Sequence, residues 1–77
     1  MEVEISPHAR EAMSKHDVSE DEVYAALAIE PTLQVDVEGE CRYGSILIEK
    51  TRKLVVIWTP RTNSKRVITC YPLRRKA

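Results

Sequence analysis

The chain has 77 residues, 43% of them hydrophobic and 31% charged, which predicts one domain over residues 1–77 with a core small enough to favour self-association or a partner. No apolar stretch approaches the ~20 residues of a membrane span and no segment resembles a signal peptide, which excludes a membrane-spanning helix and predicts a cytoplasmic protein with reduced thiols. The net charge of zero combines eleven acidic and two basic side chains in residues 1–40 with one acidic and ten basic ones in residues 41–77. This asymmetry indicates nucleic acid or another acidic partner for the second half, unless both sets are ordinary solvated faces.

Two amphipathic helices are predicted in the first half of the chain. The first covers residues 6–16, because Ser6 can cap the free amides and a stripe of apolar residues with helical period follows it. The second covers residues 19–30, because Ser19 and Glu22 have the spacing of a capping box.

The hydrophobic period changes to that of strands in the second half, where β-branched residues replace the alanines. The predicted strands are residues 32–37, 42–49, 54–59 and 66–73, forming a meander over 32–73 that is followed by a basic tail at 74–77. Short connections, among them a turn at Glu38-Gly39, favour antiparallel neighbours. The predicted fold is therefore α+β, with two helices packed on one face of a four-stranded antiparallel sheet.

The alternation of side chains predicts how the sheet faces divide. The face bearing Ile46 and Ile48 is expected to meet the helices, and Cys70 is expected to be an inert, buried thiol on that side. The other face is predicted to be semi-apolar, with Tyr43, Leu47, Val67 and Tyr71 on it. Such a face favours a homodimer or a complex with another small protein.

Four short segments are informative in combination with the predicted order of two helices followed by strands. They are residues 7–13 (PHAREAM), 18–23 (VSEDEV), 54–56 (LVV) and 66–71 (RVITCY). Together they resemble the RelE-like and BrnT-like superfamily of small toxins, within it a branch with an N-terminal histidine helix and a final strand ending in Thr-x-Tyr. The resemblance implies a metal-independent endoribonuclease, the toxin of a toxin–antitoxin pair, in which a ribose 2′-OH attacks phosphorus and a protein acid protonates the leaving oxygen.

Five residues are candidates for catalysis. The resemblance carries over His8 as an acid or base near neutrality, and Thr69 and Tyr71 as polar positioners. Position in the predicted fold adds Arg42 and Arg66 as cations that could balance the phosphate charge. RNA contacts are predicted at Arg42, Arg61, Lys65 and Arg66.

Other readings of these residues remain open. His8 could be a solvated helix residue, Tyr71 could belong to a second packed face, and His16, which closes the apolar stripe, is interpreted as structural. Neither the cysteines nor the histidines have metal-site spacing, so no metal and no cofactor is predicted. The alternative function is a non-enzymatic protein-binding or RNA-binding module of the same fold, such as a phage or host adaptor.

Overall fold

The protein is described by a computed structural model that covers residues 2–73, and the predicted basic tail lies outside these residues. Its elements are β1 (Glu2–Ile5), α1 (Pro7–His16), α2 (Glu20–Leu27), β2 (Leu33–Val37), β3 (Glu40–Ile48), β4 (Lys53–Arg61) and β5 (Ser64–Leu73). The strands form one mixed sheet in the order β1-β5-β4-β3-β2. Strands β2 to β5 are an antiparallel meander, and β1 runs parallel to β5 at one edge.

The α+β class is correct, but the predicted four-stranded antiparallel sheet is wrong because β1 adds a fifth, parallel strand. Its sequence, Glu-Val-Glu-Ile, has the period of a strand, with Val3 and Ile5 packed against the core. Its partner lies far along the chain, since Ile5 pairs with Val67. The segment has no hairpin partner next to it in the sequence, so the signal from which the other strands were predicted is missing here.

Both helices begin as predicted. The Ala9 amide donates to Ser6 Oγ (3.1 Å), and the same hydroxyl donates to the carbonyl oxygen of Ile68 (3.2 Å), which fixes the start of α1 to β5. The capping box of Ser19 and Glu22 is present at the start of α2. Helix α2 ends at Leu27, three residues before the predicted end, and this part of the prediction is wrong. No helix in residues 2–73 is long and apolar enough to cross a membrane.

The covered face of the sheet, which packs against the helices, is not the one predicted for β3. Tyr43 and Leu47 pack against the buried core, whereas Ile46 and Ile48 lie on the opposite face. The register explains this arrangement, because Tyr43 pairs with Trp58 and Leu47 pairs with Leu54. The buried members of the core are Ala9, Met13, Val18, Val23, Ala26, Leu27, Leu54, Val56, Trp58, Val67 and Cys70.

A β-bulge in β5 changes which of its side chains are buried. Thr69 pairs with Ile57 and Val67 pairs with Trp58, so Ile68 is an extra residue on its strand. Val67 is therefore buried on the covered face, and its predicted place on the opposite face is wrong. Cys70 is buried there as predicted, and this burial raises the pKa of its thiol.

The open face of the sheet, which neither α1 nor α2 covers, is semi-apolar as predicted. Its exposed large apolar side chains are Leu33, Val35, Val37, Ile48, Tyr71 and Leu73. Ile48 is the most exposed of them at 73%. Only Tyr71 belongs to the set predicted for this face, because the strand register and the bulge turn the other three residues toward the helices.

Candidate functional site

A cleft of about 260 Å³ lies between α1 and the second half of β5, and we call it the α1–β5 cleft. It is lined by His8, Glu11, Ala12, Lys15 and His16 from the helix and by Thr69, Cys70 and Tyr71 from the strand. The cleft thus collects two imidazoles, an ammonium group, a carboxylate and two hydroxyls. Three of the predicted catalytic residues, His8, Thr69 and Tyr71, line it together, although they come from opposite ends of the chain.

Helix periodicity brings the lining residues of α1 to one side. The spacing from His8 through Glu11 and Ala12 to Lys15 and His16 gives a stripe beside the buried stripe of Ala9 and Met13. Because the stripe runs the length of the helix, it joins both histidines in one surface. His16, which was interpreted as structural, is half-buried and lines this cleft.

The strand side of the cleft exists because β1 is short. Strand β1 pairs with β5 only as far as Val67, and the chain then turns at Ser6 into α1. The Ser6 amide donates to the carbonyl oxygen of Val67 (3.1 Å), which closes this pairing. Beyond it, α1 rather than a strand lies beside β5, and Thr69 and Tyr71 border the space between them.

A second depression of about 480 Å³ continues the cleft past the end of α1. It shares Lys15 and His16 with the cleft and adds Asp17, Thr51, Arg52, Pro72 and Leu73. Lys15 and His16 lie in the last turn of α1, at the negative end of the helix dipole. The combined groove is of mixed charge, with Lys15 and Arg52 beside the carboxylates of Glu11 and Asp17.

Arg52 fixes the wall of this groove, and sequence reasoning placed it only in a tight turn. Its guanidinium donates to the carbonyl oxygens of His16 (2.8 Å) and Asp17 (2.9 Å), and to the carboxylates of Glu22 (2.9 Å) and Glu49 (3.3 Å). The Ser19 amide and the Arg52 guanidinium lower the pKa of Glu22 to about 2. One side chain thus joins the β3–β4 connection to the ends of both helices.

A family model described as a domain of unknown function matches residues 5–72. The chain belongs to the DUF4258 family. No curated protein and no solved structure matches it. The matched part of this DUF4258 domain includes every residue that lines the α1–β5 cleft.

The predicted arginines of this DUF4258 domain lie outside the cleft. Arg66 forms an ion pair with Glu4 (2.7 Å) where β1 meets β5. Arg42 and Arg61 both contact Glu40, at 3.3 and 3.7 Å. Each arginine therefore has a carboxylate that competes with phosphate for its guanidinium.

Lys65 lies on the covered side of the sheet, away from these arginines. Its ammonium group donates to the carbonyl oxygen of Leu27 (2.8 Å) and lies 4.5 Å from the centre of the Trp58 ring. It thereby satisfies the C-terminal end of α2 and makes a cation–π contact with the core. The structure thus separates Lys65 from the other residues predicted to bind RNA.

Among residues 2–73 there is no group of three or more His, Cys, Asp or Glu side chains that could hold a metal ion. The cleft itself supplies acids, bases and a cation from its side chains. Imidazole is suited to proton transfer near neutrality, and ammonium and hydroxyl groups are suited to binding anionic oxygens.

Proposed function

We propose that the chain is a metal-independent endoribonuclease whose active site is the α1–β5 cleft. The observation that carries this proposal is the meeting of His8, Thr69 and Tyr71 in one cleft that also holds His16 and Lys15. The resemblance to RelE-like and BrnT-like toxins supports it independently, because it singled out the same three residues from short sequence motifs.

In the proposed reaction the two histidines act as base and acid. One imidazole accepts the proton of a ribose 2′-OH as that oxygen bonds to phosphorus, and the bond between phosphorus and the 5′ oxygen breaks. The other imidazole donates a proton to the leaving 5′ oxygen. The products are a 2′,3′-cyclic phosphate and a 5′-hydroxyl, and no water is consumed in this step.

The remaining groups of the cleft suit binding of RNA and stabilisation of charge. The Lys15 ammonium group can balance the negative charge that develops on the phosphate oxygens, a role given at first to the two arginines. Thr69 can donate a hydrogen bond to the same oxygens. Tyr71 is 38% exposed, and its ring can stack on an unpaired base, which favours single-stranded RNA over a duplex.

The direct test is incubation of the purified protein with an end-labelled single-stranded RNA in the presence of EDTA. We expect cleavage to persist and to leave 2′,3′-cyclic phosphate or 3′-phosphate ends. A substrate with a single 2′-deoxy nucleotide at the mapped cleavage position should resist cleavage there, because its nucleophile is missing. Activity that EDTA abolishes and Mg²⁺ restores would contradict this mechanism.

Variants locate the activity within the molecule. We expect His8→Ala to lower turnover by about 10²–10⁴-fold, the usual contribution of general acid–base catalysis, with an unchanged melting temperature because His8 is exposed. Ser14→Ala is the matched control, since Ser14 is an exposed residue of α1 outside the cleft. If Arg42→Ala and Arg66→Ala abolish cleavage while His8→Ala does not, the active site lies on the open face and the proposal fails.

The proposed enzyme would act in the cytoplasm as the toxin of a toxin–antitoxin pair. Both cysteines are free, which suits a reducing compartment. Expression of the chain alone should then be harmful, and a neighbouring small gene should relieve the harm. Neither effect should survive His8→Ala if toxicity depends on cleavage.

The open face favours a second candidate, a non-enzymatic protein-binding module. Val35 (56% exposed) and Ile48 (73% exposed) lie on this face, where a partner could exclude water from them. Under this alternative, pure protein leaves RNA intact, and a partner captured by the chain is released by Ile48→Lys but not by His8→Ala. Cleavage lost with His8→Ala would favour the enzyme.

A further inference from the structure

Strand β2 is one of the two edges of the sheet. All five residues of this strand are exposed, and no other element of residues 2–73 lies beyond it. The strand contains no proline, lysine or bulge, the devices that usually prevent a sheet edge from pairing with another chain. Three of its residues, Leu33, Val35 and Val37, also expose large apolar side chains.

The register of the β2–β3 hairpin shows which backbone groups are free. The turn at Glu38-Gly39 has two residues with positive φ (50° and 82°), so Val37 and Glu40 form the hydrogen-bonded pair that closes the hairpin. Pairs alternate along an antiparallel ladder between bonded and non-bonded. The amide and carbonyl groups of Gln34 and Asp36 therefore point outward, away from β3.

We propose that two copies of the chain pair through this edge, with β2 antiparallel to β2 about a two-fold axis at Val35. This register places Gln34 opposite Asp36 of the second copy, so the outward backbone groups of both residues meet in bonded pairs on either side of Val35. The result is one ten-stranded sheet. It is a closed dimer, because each copy uses its only β2 edge.

The side chains of β2 are complementary to themselves in this register. Asp36 is the single charged residue of the strand, and it meets the neutral amide of Gln34 rather than a second carboxylate. On the open face Leu33 meets Val37 of the second copy, and Val35 meets its own equivalent. The apolar row of β2 thus continues across the axis and loses water from both copies.

The opposite edge of the sheet does not offer the same contact. Strand β1 has only four residues, and two of them are Glu2 and Glu4. A pairing of β1 with its own equivalent would bring four carboxylates together, which is unfavourable. The α1–β5 cleft also lies at this end of the sheet, so a β2 dimer leaves both clefts open.

Disulfide trapping tests the register. Val35→Cys, made with Cys41→Ser to remove the half-buried native thiol, should cross-link to itself on mild oxidation, because residues in a non-bonded antiparallel pair have Cα atoms about 4.5 Å apart. Leu33→Cys in the same background is the matched control. In the proposed register, position 33 of one copy lies opposite position 37 of the other. The two copies of position 33 are therefore four residues apart along the strand, about 13 Å, and should not cross-link.

Backbone substitution tests the edge itself by sedimentation equilibrium. The wild-type chain should sediment at twice its 8.8 kDa mass at high concentration. Asp36→Pro removes an outward amide but no β2–β3 hydrogen bond, and it should weaken the dimer by at least tenfold, whereas Asp36→Asn should not. Val35→Lys provides a second test that does not depend on the folding of Asp36→Pro. It sets two ammonium groups against each other at the two-fold axis and should also weaken the dimer.

Three outcomes would overturn the proposal. They are a monomer at every concentration, equal cross-linking of Val35→Cys and Leu33→Cys, and a dimer that resists both edge variants but dissociates with Ile48→Lys. The last outcome would assign the contact to the open face instead. RNA cleavage is expected to be the same in wild type and in the edge variant Asp36→Pro, because Asp36 does not line the α1–β5 cleft. Failure of the dimer proposal and failure of the enzymatic proposal are therefore separate observations.

Discussion

The two faces of the sheet are built from similar residues and differ in what covers them. Strand β4 sends Leu54, Val56 and Trp58 to the covered face and Val55 and Ile57 to the open face. The three on the covered face are almost fully buried. Val55 is also buried, by its neighbours on the open face, but Ile48 near the end of that face is largely exposed. Residue type alone therefore does not separate a face that holds the fold together from one that is available for contact.

The covered face depends on polar contacts that hold the helices in place. Trp58 Nε1 donates to the buried Ser45 Oγ (3.0 Å), which explains why a serine lies inside while isoleucines lie outside. Arg52 and Lys65 reach from the sheet to the C-terminal ends of α1 and α2. No comparable cover is found on the open face among residues 2–73, and this difference predicts where substitutions are costly.

The largest expected effect comes from truncation of a side chain on the covered face. Leu54→Ala should lower the free energy of unfolding by about 2–5 kcal/mol, because it leaves a cavity in the core. Ile48→Ala is the matched change on the open face and should stay within about 0.5 kcal/mol of wild type. Urea unfolding of both variants measures the contrast. Similar losses would mean that the open face is covered in solution.

The next effect comes from removal of the arginine that joins the helices to the sheet. Arg52→Ala should cost about 2–3 kcal/mol, because two helix-end carbonyl groups and the Glu22 carboxylate lose a charged donor. Arg10→Ala is the control, since its ion pair with Glu20 is exposed and should contribute less than about 1 kcal/mol. Thermal unfolding followed by circular dichroism compares them. Equal losses of stability in the two variants would contradict a structural role of Arg52.

The smallest effect is a dependence of stability on acid. Glu22 has a pKa of about 2 in the folded chain against an ordinary value of 4.5, so its charged form stabilises the fold. This stabilisation, about 1–2 kcal/mol for hydrogen bonds to a charged group, should be complete above pH 4.5 and lost as the pH falls toward 2. Wild type should therefore exceed Glu22→Gln in stability at pH 6 and equal it near pH 2. A pH-independent difference would contradict this assignment.

Local features of the fold could be predicted from the sequence, and distant ones could not. The capping box of Ser19 and Glu22 and the turn at Glu38-Gly39 are decided by residues close together in the chain, and both are confirmed. Strand β1 depends on a partner 62 residues away, because Ile5 pairs with Val67. The bulge at Ile68 and the orientation of β3 depend on the register with β4, which the pattern within one strand does not determine. Hydrophobic pattern favoured the isoleucines of β3 as core residues, but the register with β4 decides otherwise.

The candidate site was predicted only in part for the same reason. The resemblance led to His8, Thr69 and Tyr71, and the structure brings them to one cleft, while their role in catalysis stays a prediction. His16 shares a helix stripe with His8, and this spacing could have identified it as a second imidazole of the same surface. The contacts of Arg52 had no such signal, because they join the β3–β4 connection to residues 30 to 36 positions away.

The parallel pairing of β1 with β5 determines when β1 can join the sheet during synthesis of the chain. The side chains of Glu4 and Arg66 are 62 residues apart in the chain, so a ribosome adding about 5–20 residues per second needs about 3–12 s between making one and the other. During that time Val3 and Ile5 have no strand to join. Both helices and the first hairpin can form earlier from local contacts. Strand β1 must therefore wait for the synthesis of β5 before it can enter the sheet.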